Sequence, residues 1–145
     1  MDVNTIVVGY DGSDCSQRAI DAAVSVMNEG GIVHVVSAYD APSARKIKDA
    51  YASVPEEFTA SVDLMSGARG TLEAAAKGLV DQGYAVVEHF IDDDPASAIL
   101  NVADEVKADM VVVGSRGLGR ASQVVRGSVS TKIAHHAHVD FMVIH

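Results

Sequence analysis

A chain of 145 residues suits one compact domain, long enough to bury a core and too short for two. Hydrophobic residues at 48% and charged residues at 21% exclude a disordered chain, and no apolar run approaches the length of a membrane span. A net charge of −9 repels a phosphate backbone, so neither nucleic acid nor membrane is expected as a partner.

In chain order, Met1 to Asn4 carry neither a basic start nor an apolar stretch, so no signal peptide is read and the chain is expected in the cytoplasm. Thr5 to Val8 reads as a buried strand closed by Gly9, and Asp11-Gly12-Ser13 as a turn. Ser13 or Asp14 then caps a helix whose inner face is Ile20, Ala23, Val24 and Met27, ended by Gly30-Gly31. Cys15, the single cysteine, excludes an internal disulfide and is read as a small residue of that first helical turn.

Ile32 to Val36 is the second strand. Residues 39 to 65, interrupted by Pro42 and Pro55, are polar and weakly periodic and read as a mobile loop with some helix. Leu72, Ala75, Ala76 and Leu79 mark the next helix, stopped by Gly83. Tyr84 to Ile91 is a third strand, polar enough to belong near an edge. Asp94-Pro95 opens a helix with Asp as cap and Pro at the first position, its buried face being Ile99, Val102, Ala103 and Val106. Met110 to Val113 is the fourth strand, Ser128 to His136 the last helix, and Phe141 to Ile144 the fifth strand. Strands alternating with helices predict an α/β fold: one doubly wound, five-stranded parallel sheet of order 3-2-1-4-5 with helices on both faces.

Such sheets bind ligands beyond the carboxyl ends of their strands, where strand order reverses. Two turns meet there: Gly9 to Ser13 after the first strand, and Gly114-Ser115-Arg116-Gly117-Leu118-Gly119-Arg120 after the fourth. From Met110 to Val139 there is no Asp or Glu, while Arg116, Arg120, Arg126, Lys132 and three histidines fall inside this window. Glycines let backbone N–H groups approach an anion, and a helix start adds its positive dipole end. Gly114, Gly117 and Gly127 are spaced for a phosphate, Ser128 and Ser130 for hydroxyl donation, and Arg116 for charge. A Walker A loop is ruled out because Gly119 is followed by Arg120-Ala121, and a dinucleotide fingerprint because Ser122 stands where its third glycine belongs.

The segment Gly114-Ser115-Arg116-Gly117, nine residues, then Gly127-Ser128 resembles the G-x-x-G, nine residues, G-[ST] signature of nucleotide-binding universal stress proteins. Val7 to Ser13, Asp94-Pro95-Ala96 and Ala108 to Gly114 also resemble that family, most closely its actinobacterial members. The resemblance implies the same sheet order and a homodimer. It also implies ATP, with Mg2+ carried on it, or AMP or cyclic AMP, held between strands one and four. By position, Asp11 would contact ribose or base and Ala38 would offer its backbone to adenine. Gly114, Gly117, Gly127, Ser128, Val129 and Ser130 would surround ribose and phosphates. The implied role is a stress-response or regulatory binding module, with slow ATP hydrolysis as the alternative.

Four positions depart from the family pattern: Ser37-Ala38 in place of His-Val, Asp93 in place of glycine, and Asp140 in place of proline. His135, His136 and His138 suit the dipole at a helix end, and no metal site is read from them. The apolar fifth strand, at the end of the sheet order, is the edge expected to pair with a second copy.

Overall fold

Strand β1 (Thr5–Gly9) is flanked on both sides, by β2 (Ile32–Tyr39) and by β4 (Met110–Gly114). The edges are β3 (Ala85–Asp92) and β5 (Asp140–Ile144), all pairings are parallel, and the order is β3-β2-β1-β4-β5, as predicted. These relations come from a computed structural model that describes residues 1–39, 56–116 and 127–145, with the backbone alone for 56–65.

A central strand of β-branched residues is required because both of its faces are covered. Alternate residues of β1 feed two separate cores. Ile6 and Val8 join Val33, Val35 and Val112 under α1 (Asp14–Val26) and α2 (Glu56–Asp81). Val7 joins Val36, Val111 and Val113 under α3 (Pro95–Val106) and α4 (Ser128–His136). Ile20, Ala23, Leu72 and Leu79 supply the first helical layer, and Ile99, Val102 and Ile133 the second.

The predicted helix starts hold in detail. Ser13 Oγ accepts from Ser16 N at 3.2 Å and caps α1, and Asp94 caps α3 with Pro95 at its first position. Residues 56 to 65, expected in a loop, are helical instead, and Tyr39 belongs to β2. Residues 66 to 71 of α2 are exposed, with Arg69 lying 4.7 Å over the Phe90 ring, and burial among its described side chains begins at Leu72. An unburied stretch of helix needs no apolar stripe. The rest of the loop call, residues 40 to 55, lies outside the described residues.

Helix α3 ends on Lys107 with φ 52°, a left-handed cap in which its N–H bonds Ala103 O and Asp104 O. Glycine takes this conformation without its Cβ crowding the backbone. Lys107→Gly should therefore raise the urea midpoint, by an amount worth about 1 kcal/mol, with an unchanged m-value.

Candidate functional site

The crevice forms where two neighbouring strands send their chains in opposite directions. After β1 the backbone turns toward α1. Tyr10 N donates to Val36 O at 2.8 Å and Ser37 Oγ donates to Tyr10 O at 2.6 Å, so this turn is pinned to the end of β2. Asp11 Oδ1 accepts from Ser13 N at 2.9 Å, which folds the turn on itself, and Asp11 is exposed. Burial raises the pKa of the Tyr10 hydroxyl, with the Asp11 carboxylate as the smaller cause. Gly12, at φ +83°, passes close to helix α2: a Cβ there would lie 3.1 Å from Thr71 Cγ2.

After β4, Gly114 packs on α1 so closely that an added Cβ would come within 2.8 Å of Cys15 Cβ. Ser115 N then donates to Ile144 O at 2.7 Å, and Ser13 Oγ approaches Arg116 O at 3.4 Å. That last contact joins the two turns directly. The chain re-enters the described region at Gly127, φ +43°, where an added Cβ would collide with Ser115 O and Ser130 Oγ. No substitution with a side chain fits there.

Helix α4 begins at this glycine with no side-chain cap, unlike α1 and α3. Its first N–H groups and its dipole therefore point at the crevice with no acceptor supplied by a capping side chain. Beside it, Ser115 is 8% exposed and its hydroxyl has no hydrogen-bond partner among the described residues. Elsewhere in the protein a buried hydroxyl finds a partner: Ser16 Oγ donates to Ser13 O at 2.9 Å. An uncapped helix start, a glycine that admits no Cβ and an orphaned buried hydroxyl together fit an anionic oxygen ligand.

The structure brings most of the predicted residues to this place. Asp11, Gly114, Arg116, Gly127, Ser128, Val129 and Ser130 lie on the two turns or the start of α4. Gly117, Arg120 and Arg126 lie outside the described residues. Ala38 stands one strand over. Carbonyl direction alternates along a strand, so Ala38 turns its N–H and C=O the way Val36 does, beyond the last β1 residue that pairs with β2.

The two predicted hydroxyls stand in different surroundings. Ser128 is exposed, whereas Ser130 is buried and donates to Gly127 O at 2.9 Å within the first turn of α4. Lys132, counted among the cations of the acid-free window, is engaged by an acid from outside it. Its Nζ lies 2.7 Å from Asp94 Oδ2 and 3.2 Å from Ser97 Oγ. That Lys132 hydrogen bond, helped by Ser97, holds the Asp94 carboxyl below its ordinary pKa. Sequence spacing gave no sign of the pairing, because 38 residues separate the partners. Ser115 was also missed, although it is a hydroxyl inside the glycine segment and its residue type alone suited the site. His135, His136 and His138 are exposed at the far end of α4, and no group of three potential metal ligands occurs among the described residues.

The model of the Universal stress protein family matches residues 3–145. The chain belongs to that family. Universal stress protein Rv1636 of Mycobacterium tuberculosis (strain ATCC 25618 / H37Rv) is 34% identical over 146 residues, covering 97% of this chain and 95% of the relative. Among solved structures, hypothetical protein MJ0577 superposes with a TM-score of 0.83 at 19% identity, covering 99% of this chain and 96% of that one. A universal stress protein solved in complex with cAMP has a TM-score of 0.68 at 28% identity, covering 100% and 98%. The doubly wound sheet is therefore the family fold, and the crevice between β1 and β4 is the feature that this member's own residues elaborate.

Ser115→Ala removes an orphaned buried hydroxyl, so thermal unfolding without ligand should show a gain worth about 1 kcal/mol. A loss of similar size would mean that the hydroxyl has a partner inside the protein.

Proposed function

We propose that this universal stress protein is an adenine-nucleotide-binding regulatory module of one domain, acting in the cytoplasm and holding its ligand between the carboxyl ends of β1 and β4. The observation that carries this reading is the uncapped start of α4 at Gly127, set beside the Ser115 hydroxyl, which has no partner among the described residues. In this arrangement the N–H groups of Ser128, Val129 and Ser130, with Gly114, Gly117 and Gly127 leaving room, receive phosphate oxygens. Arg116 adds charge at the mouth, Asp11 takes ribose hydroxyls, and the Ala38 backbone takes the base. ATP with its Mg2+ is the preferred ligand of this reading. Cyclic AMP is the second, supported by the structural relative in complex with cAMP. AMP fits the same base and ribose contacts.

Calorimetry with ATP, ADP, AMP and cyclic AMP ranks these ligands, and no heat at millimolar concentration from any of them sinks the proposal. Ser128→Asp separates binding from folding. A carboxylate in the first helical turn favours the helix by about 0.3–1 kcal/mol, so the variant should melt no earlier than the parent. It should nonetheless bind the favoured nucleotide at least about tenfold more weakly, the factor set by about 1.4 kcal/mol of repulsion. Binding without efficient turnover is expected. Multiple-turnover phosphate release that Asp11→Ala abolishes would make the protein a hydrolase instead.

The proposed assembly is a homodimer through β5. This strand is a sheet edge, and Phe141 on it is 42% exposed. Unpaired edge groups beside an exposed aromatic favour pairing with a second copy. Phe141→Lys should shift the sedimentation coefficient from dimer to monomer, and a parent protein that is monomeric at all concentrations ends this proposal.

A further inference from the structure

The buried face shared by β2 and β3 carries a feature that the nucleotide site does not use. His34 Nδ1 and His89 Nε2 lie 3.0 Å apart, with ring centroids at 5.2 Å. The pair is cross-strand, His34 standing opposite Val87 and His89 opposite Val36. His34 is 8% exposed, while His89 is half-buried. Helix α3 covers β1 and β2 on this face and stops short of β3, where Val87 is 42% exposed, so water reaches the pair from the His89 side.

Two imidazoles in this contact need one proton between them, one ring donating and the other accepting. A second proton on the facing nitrogens would set two N–H groups against each other at 3.0 Å, beside a buried ring that solvent cannot stabilise. We propose that His34 and His89 form a proton-sensitive clasp that holds edge strand β3 on the sheet at neutral pH and releases it on acidification.

The surroundings reinforce the effect. Burial lowers the pKa of His34 first and the charge of His89 second, while burial lowers that of His89 against an opposing pull from Glu105 on α3. Glu105 is the charged group acting on the pair from α3. Val7 of β1, on the same face, is apolar, and the charged groups of α2 lie across the sheet. With both folded values lowered, the unfolded chain binds more protons than the folded one below the ordinary histidine value of about 6.5. The clasp's contribution is complete above that pH and is lost as pH falls through the folded values. Release of β3 would loosen β2, whose Ser37 pins the Tyr10 turn, so acid reaches the crevice through the sheet edge.

Amide hydrogen exchange of the full chain, corrected for the intrinsic rate, reads the clasp directly. The opening constant of β3 amides from Val86 to Ile91 should rise, by about tenfold, between pH 7 and pH 5. The His34→Asn, His89→Gln pair places an amide at each ring nitrogen and cannot titrate, and its β3 opening should be flat over that range. Imidazole titration of the parent by NMR should show two separated steps shared by the rings, a test that stands even if the buried variant fails to fold. The clasp is overturned if β3 opening in the parent is independent of pH, if the double variant keeps the parent's acid loss, or if the two rings titrate independently near the ordinary value.

Discussion

The adjacency of β1 and β4 is the constraint on which the rest of this molecule depends. The chain runs outward from β1 to β2 and β3, then returns across the sheet to β4 and runs outward again to β5. Right-handed crossovers then place α1 and α2 on one face and α3 and α4 on the other. At the carboxyl edge, the chain leaving β1 and the chain leaving β4 part toward opposite faces, and a crevice opens between them. Loop chemistry fills that crevice but does not create it. The contact of Ser13 Oγ with Arg116 O, across 103 residues of sequence, marks the floor where the two turns still touch.

The residues around the crevice break rules that the rest of the chain keeps. Helices α1 and α3 are capped by Ser13 and Asp94, and Asp94 also anchors Lys132 of α4. Helix α4 starts without a side-chain cap, on a glycine in the left-handed region, beside a serine whose buried hydroxyl has no partner among the described residues. Each of these costs the free protein of the order of 1 kcal/mol. A cost concentrated at one point of an otherwise satisfied fold is what a ligand site requires, because groups already bonded within the protein have nothing left to offer a ligand.

Much of this was legible in the sequence, because the signals were local. The Thr5 to Val8 run has a composition that only a strand covered on both faces explains, and Asp94-Pro95 writes a helix start in two residues. The polar character of β3 announced its edge position. The stretch of α2 from 66 to 71 was hard to read because helices are read through buried faces and these residues are exposed. Ser115 and the Lys132–Asp94 link were illegible for the opposite reason: their meaning lies in what surrounds them in space. The same holds for His34 and His89, which spacing alone never pairs, since 55 residues separate them and only the β2–β3 register joins them.

The charge of the whole chain bears less on the ligand than the charge near α4. A net charge of −9 opposes any anion at long range, but salt confines that repulsion to about 8 Å at physiological ionic strength. Within that distance of the start of α4, local composition decides, and the window from Met110 to Val139 contributes no carboxylate. Asp94 is one acid that enters from outside, beside Asp11 of the facing turn, and Lys132 neutralises Asp94 at 2.7 Å. The salt bridge thus keeps a carboxylate of α3 from opposing an anion at the neighbouring helix. Attraction then rests on backbone N–H groups and the exposed Arg116. Backbone dipoles reach only atoms in direct contact, so the crevice rewards a phosphate seated on the first turn of α4 far more than further phosphates extending into solvent. Which anion the crevice would favour therefore depends on how many of its oxygens that one turn and Arg116 can reach together.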